Sequence, residues 1–149
     1  MYVNMSLGVC LMFFSFKSPN QSQSSQKKVC FLFIKWCSNC HCTRCQNGHG
    51  SGFVTWVRFK KNNFSILRGK ELLRWYSTSK KSEFGFCSRC GSSILYRSIK
   101  CPNEIHITLI NIFDNLNITP QSDNYFDTHV PWLIFDESIP KKNDPKLEK

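Results

Sequence analysis

Two cysteine clusters constrain this chain more than any other feature. Residues 36–45 read WCSNCHCTRC and residues 86–92 read FCSRCGS. Cys40, Cys42 and Cys45 form a C-x-C-x-x-C triplet, and Cys87 and Cys90 form a C-x-x-C pair followed directly by Gly91. Thiolates at such short spacing can converge on one soft metal ion, and zinc is the usual occupant. Neighbouring Cys-x-Cys side chains rarely meet disulfide geometry, and nine cysteines cannot all pair within one chain. Metal-bound thiolates in a reducing, cytoplasmic compartment are therefore the simpler expectation. Three protein thiolates leave one position of a tetrahedral zinc open, which is what a catalytic site needs. Cys40, Cys42 and Cys45 are thus the candidate catalytic ligands.

A length of 149 residues predicts one domain with a real core, and 13 phenylalanines predict that this core is Phe-rich. No apolar run reaches 18 residues, so no transmembrane helix is expected. The run from Leu7 to Phe16 has no Lys or Arg before it. It reads as a buried strand rather than a secretory signal. The segment KSPNQSQSSQKK, residues 17–28, is a flexible insert by composition. Residues 1–28 are accordingly set apart as an atypical N-terminal strand and insert, 29–140 as a zinc domain, and 141–149 as a charged tail.

The remaining pattern is mainly β. VCFLFIKWC (29–37) predicts a strand leading into the triplet, and FVTWVRF (53–59) has strand composition and length. Leu72–Tyr76 is a further candidate, Glu83–Phe86 leads into the second cluster, and Ser93–Tyr96 leads out of it. Strand, C-x-x-C-G and strand together resemble a zinc knuckle, in which Gly91 supplies a turn conformation that a β-carbon would hinder. Glu104–Ile112 alternates, with Ile105, Ile107 and Leu109 on one side and His106 and Thr108 on the other. No long segment keeps a helical period.

The formal charge of +10 attracts anions. The Lys pairs 27–28, 60–61, 80–81 and 141–142 are dispersed and lack aromatic interleaving. A nucleic-acid surface therefore ranks below a solvated basic surface that suits a small anionic ligand.

CHCTRCQ at 40–46, Gly50, Trp56, FCSRCGS at 86–92 and Pro131-Trp132 occur in an order that resembles the glutathione-dependent formaldehyde-activating enzyme family, the GFA/CENP-V domain proteins. The resemblance covers about Val29 to Pro140. It implies a β-tent fold of short antiparallel sheets arranged around zinc knuckles. It also implies a catalytic zinc on Cys40, Cys42 and Cys45, with a glutathione-like thiol and an aldehyde as substrates. The implied activity is a carbon–sulfur lyase that forms S-hydroxymethylglutathione. A second, structural zinc would use Cys87 and Cys90 with two cysteines of a G-x-C-x-C-G motif. Here Gly8-Val9-Cys10 matches the start of that motif, but Met12 and Phe13 stand where cysteine and glycine belong. Cys10 is the first candidate to complete the site and Cys30 the second. Loss of the structural zinc in an inactive relative is the corresponding alternative function, beside a zinc-stabilised binding module.

Other side chains are read conservatively. His41 lies between two ligands, and alternation turns it away from the metal. His49 is a candidate pocket residue beside the glycines, though an exposed loop position is the commoner case. Cys37 is expected to be a packed thiol, Cys101 an unliganded loop thiol, and His106 and His129 structural histidines on apolar strands. Trp56 and Trp132 are expected to be core aromatics near the site.

Overall fold

Runs of β-branched and aromatic residues at period two build most of the molecule. The computed structural model describes residues 2–3, 13–16, 34–112 and 118–144. Its strands are β1 (Tyr2–Val3), β2 (Phe13–Phe16), β3 (Ile34–Cys40), β4 (Val54–Lys60), β5 (Phe64–Arg68) and β6 (Leu73–Ser79). They continue with β7 (Ser82–Cys87), β8 (Ser93–Ser98), β9 (Glu104–Thr108), β10 (Asp123–Asn124) and β11 (Lys141–Lys142). One α-helix is described, α1 (Thr43–His49), between β3 and β4. The protein is mainly β, as the sequence predicts.

Eight strands form one sheet in the order β11-β10-β3-β4-β9-β8-β7-β6, and β1-β2-β5 form a second. Pairing is antiparallel from β3 through to β6, whereas β10 runs parallel to both β3 and β11. Both faces of the large sheet are covered, and β4 shows this best. Val57 and Phe59 face the main core with Cys37, Leu95, Ile107 and Cys87. Val54 and Trp56 face the opposite way, into a smaller cluster with Cys45 and Phe84. The small sheet closes the main core through Phe14, which is fully buried and stacks on Phe64 with ring centroids 5.3 Å apart.

Among the described residues the expected strands recur, several with shifted ends; of the Leu7–Phe16 run only Phe13–Phe16 is described, and it is a strand. The segment before the triplet runs on to Cys40 itself. The alternation expected through Ile112 stops at Thr108, because Leu109–Asn111 forms a 3-10 turn. Asn111 Nδ2 donates to the Thr108 hydroxyl there, and Ile110 is left exposed. Strands β5, β10 and β11 and the helix were not legible as such. Residues 17–33, which include the Ser/Gln-rich insert and Cys30, lie outside the described residues, as does Cys10.

Candidate metal centre

The triplet sits where a strand gives way to a helix. β3 ends on Cys40, and Cys42, with φ −62° and ψ 145°, is the N-cap of α1. Cys45 is the third helical residue, so it returns to the side of the helix that carries the cap. Cys40 reaches the same place from the end of the strand. The three sulfurs lie within 4.8 Å of one another, with Cys40 Sγ and Cys42 Sγ 3.5 Å apart. A tetrahedral zinc with Zn–S bonds of about 2.3 Å holds its sulfurs roughly 3.8 Å apart, so the thiols stand at the spacing that the ion requires.

Cys37 belongs elsewhere. It precedes Cys40 by an odd number of residues on an extended strand, so the two side chains leave opposite faces of the sheet. Cys37 is fully buried in the main core, and burial pushes its thiol up to about 11.

The three thiols share hydrogen bonds and shift one another's protonation. Cys42 is pulled down to about 2, first by hydrogen bonds from Cys40 and Cys45, with the amides of Cys45 and Arg44 adding to them. The cost falls on the neighbours. Donating to Cys42 pushes Cys40 up to about 12. Cys45 is raised further by Cys40 and Cys42 and by burial. Lowering one thiol raises the other two. Three thiolates in this space need a cation among them, and a soft divalent ion fits that donor set.

An aromatic floor lies under the thiols. Trp56 and Phe84 stack at 6.0 Å, Tyr96 tilts against both at 5.8 Å, and Cys40 and Cys42 pack on this cluster. His49 meets Trp56 and Phe84 edge-on at 5.3 Å, while its Nδ1 lies 3.0 Å from the Cys45 carbonyl. Its Nε2 is buried with no partner among the described residues, and burial lowers its pKa. His49 is therefore a half-buried wall residue and not an exposed loop residue. The helix can lie this close only because residue 48 is glycine, since a Cβ there would stand 2.8 Å from Phe84 Cε2.

His41 does turn away from the thiols, as alternation predicts. Its ring is fully buried against Phe53, Phe126 and Phe135, and Nε2 lies 3.1 Å from Asp123 Oδ1. The same oxygen accepts Asn39 Nδ2 at 2.8 Å, and Asn39 Oδ1 accepts the Thr55 hydroxyl at 2.7 Å. The peptide between the ligands is also clamped. His41 N donates to the Asn124 carbonyl at 2.9 Å, while Gln46 Nε2 and the Thr128 hydroxyl donate to the His41 carbonyl at 2.6 Å and 2.9 Å. Sequence reasoning missed Asp123, Asn39, Gln46 and Thr128. Asp123 lies 82 positions from the histidine it faces, and no local pattern marks such a partner.

The second cluster adopts the expected knuckle. Gly91 has φ +77°, its amide donates to the Cys87 carbonyl at 2.8 Å, and Cys87 N donates to the Ser92 carbonyl at 3.0 Å. Cys87 is fully buried and Cys90 half-buried. Among the described residues these two are not part of a group of three metal-capable side chains. Cys10, the expected partner, lies outside the described residues.

Three lesser expectations change. Trp132 is 74% exposed and is not a core aromatic, whereas Trp56 is buried as expected. His129 is not on a strand: it follows a 3-10 turn and stacks flat on Phe126 at 4.3 Å. His106 is on a strand and faces Glu104 at 3.4 Å. Cys101 lies in the turn after β8, apart from the triplet. The described Lys pairs fall at separate places: the end of β4, the β6–β7 turn and β11. No described helix is long and apolar enough to cross a membrane.

The family model described as glutathione-dependent formaldehyde-activating enzyme matches residues 33–128, well over half of the chain. The chain belongs to this family. The match spans both cysteine clusters, from just before β3 to the Thr128 clamp. A crystal structure of a Rhodobacter sphaeroides protein has the same fold, with a TM-score of 0.50 over 73% of this chain and 84% of that one, at 16% identity. No curated protein matches the chain.

Proposed function

We propose that the protein is a zinc-dependent carbon–sulfur lyase of the formaldehyde-activating type. It would add a thiol such as glutathione to formaldehyde or a related aldehyde, and catalyse the reverse. The observation that carries this reading is the convergence of Cys40, Cys42 and Cys45 at metal-ligand spacing in a chain of this family. Zinc bound there would supply Lewis acidity and hold an incoming thiol as its thiolate at neutral pH.

The chain's own residues supply the setting. Cys40 and Cys42 are half-buried and Cys45 buried, so solvent reaches part of the cluster. Trp56, Phe84 and Tyr96 keep water from the rest. Arg44 is exposed between two of the ligands, which together with the +10 charge favours an anionic thiol such as glutathione. The thiol sulfur forms the new C–S bond, the C=O π pair moves onto oxygen, and the proton lost by the thiol ends on that oxygen. In this reading Cys87 and Cys90, with Cys10, hold a second, structural zinc. Cys37, Cys40, Cys42, Cys45, Cys87 and Cys101 form no disulfide among the described residues, which suits a cytoplasmic setting.

The test is a metal count on protein purified under reducing conditions, beside NMR detection of S-hydroxymethylglutathione formed from glutathione and labelled formaldehyde. Two zinc ions per chain are expected, one lost in Cys42→Ser with all turnover and the other lost in Cys87→Ser. Protein without zinc, or without acceleration over the uncatalysed addition, refutes the proposal.

A further inference from the structure

The pairing register brings more than thiols to one face of the large sheet. Residues opposite one another across a ladder send their side chains to the same side. One row of partners runs Lys142, Asn124, Cys40, Val54 across β11, β10, β3 and β4. A second row runs Trp36, Arg58, His106, Tyr96 across β3, β4, β9 and β8. Cys40 and Trp36 are separated by an even number of residues on one strand, so both rows share the face that carries the triplet. Tyr96 agrees with this, since it belongs to the aromatic floor under the thiols.

At one corner of that face two cations meet one indole. Arg58 Cζ lies 6.0 Å from the centre of the Trp36 ring, and Lys142 Nζ lies 5.3 Å from it. Trp36 is half-buried and Lys142 exposed, while Arg58 keeps 34% of its side chain exposed. Glu104 does not use up the guanidinium. Its Oε2 stands 3.6 Å from Arg58 Nη1, longer than a hydrogen bond. Arg58 Nε is buried with no partner among the described residues. Lys60, also exposed, lies opposite Glu104, so the corner keeps an excess of positive charge. Two cations drawn to one ring repel each other, and an anion between them relieves that repulsion.

The corner stands within reach of the thiols. Strands about 4.8 Å apart put the Lys142 backbone roughly 10 Å from that of Cys40, and the lysine side chain runs back towards Trp36. A rise of about 3.3 Å per residue puts Trp36 roughly 13 Å from Cys40 along β3. A tripeptide thiol of the glutathione type carries its carboxylates roughly 7–10 Å from its sulfur. With that sulfur at the triplet, a carboxylate reaches the space between Lys142 and Arg58.

We propose that Arg58 and Lys142 form a carboxylate subsite for the thiol substrate, through which the protein selects anionic peptide thiols over small neutral ones. This rests on the lyase reading above. The guanidinium fork matches a carboxylate, the ammonium adds a point charge, and Trp36 holds both cations in place. The subsite grips a part of the substrate that does not react, so it acts on KM more than on kcat.

The test uses Arg58→Gln, Lys142→Gln and the double variant at low salt, where exposed charges are least screened. In each single variant the preference for glutathione over 2-mercaptoethanol, read as the ratio of their kcat/KM values, is expected to fall about 10-fold, the worth of one charge-assisted hydrogen bond. A second measurement needs no turnover. By calorimetry the wild-type protein should bind S-methylglutathione about 10-fold more tightly than its diethyl ester, and the double variant should bind the two equally. A wild-type protein that does not distinguish acid from ester, or a double variant that keeps the preference, overturns the subsite alone. A wild-type protein that shows the preference but does not accelerate thiol addition overturns the lyase reading while the subsite stands.

Discussion

Replacing Asp123 by alanine tests whether a remote carboxylate holds the ligand loop in place. Asp123 is 1% exposed, and one of its oxygens serves both Asn39 Nδ2 and His41 Nε2. Alanine removes that acceptor while both donors remain buried. Each orphaned buried donor costs roughly 1–3 kcal/mol, so the two together cost roughly 2–6 kcal/mol. A loss of about 2–6 kcal/mol is therefore expected in urea unfolding, seen as a lower midpoint with an unchanged m-value. Asp123→Asn retains an oxygen that can accept from both donors and should cost about 1–2 kcal/mol. Because His41 joins Cys40 to Cys42, zinc affinity in Asp123→Ala should also fall about 10–100-fold, as it does when partners outside the ligand set are removed. Asp123→Ala within about 1 kcal/mol of wild type and with wild-type zinc affinity would show that the clamp resides in the backbone bonds alone and refute the reasoning.

Two more predictions concern packing and pH. Gly48→Ala gains up to about 1 kcal/mol of helix propensity but drives a methyl to within 2.8 Å of Phe84. Overpacking typically costs about 1–3 kcal/mol, so a lower melting temperature is expected; a rise would show that Phe84 yields freely. Burial, followed by the charge of Arg58, lowers the His106 pKa to about 4. Below its ordinary value of about 6.5 the unfolded chain therefore binds a proton that the folded chain refuses, and stability is lost as pH falls from 6.5 towards 4. The loss approaches about 3 kcal/mol at the bottom of that window. His106→Asn should flatten this part of the stability–pH curve, and an unchanged curve counts against the assignment.

What the sequence made legible was whatever depends on near neighbours. The triplet, the C-x-x-C-G knuckle, the β4 strand and the outward turn of His41 are all set within a few residues, by thiol spacing, a left-handed glycine or period-two alternation. The short helix was missed because seven residues are too few to show a helical period, although the cap at Cys42 and the left-handed Gly50 bound it. Trp132 was misplaced because aromatic character alone argues for burial, while the chain presents it on an exposed turn. Asp123 and Thr128 were invisible for another reason: β10 is two residues long and pairs in parallel with β3 across more than eighty positions. No local composition encodes such a pairing.

The two cysteine clusters and Cys37 are sorted by the two faces of one sheet. β3 sends Cys37 to the sealed core and Cys40 to the aromatic cluster, and β7 does the same with Cys87 and Phe84. On the core face, burial keeps the Cys37 thiol protonated. A thiol on the other face meets two more thiols and a partial opening to solvent. Reactivity therefore follows from strand parity before any metal is considered. Parity places the ligands but leaves their loop free to move. Its rigidity comes from residues 122–128, which bond to both sides of the His41 peptide. The ligand set is therefore local in sequence, while the bonds that hold its loop are not.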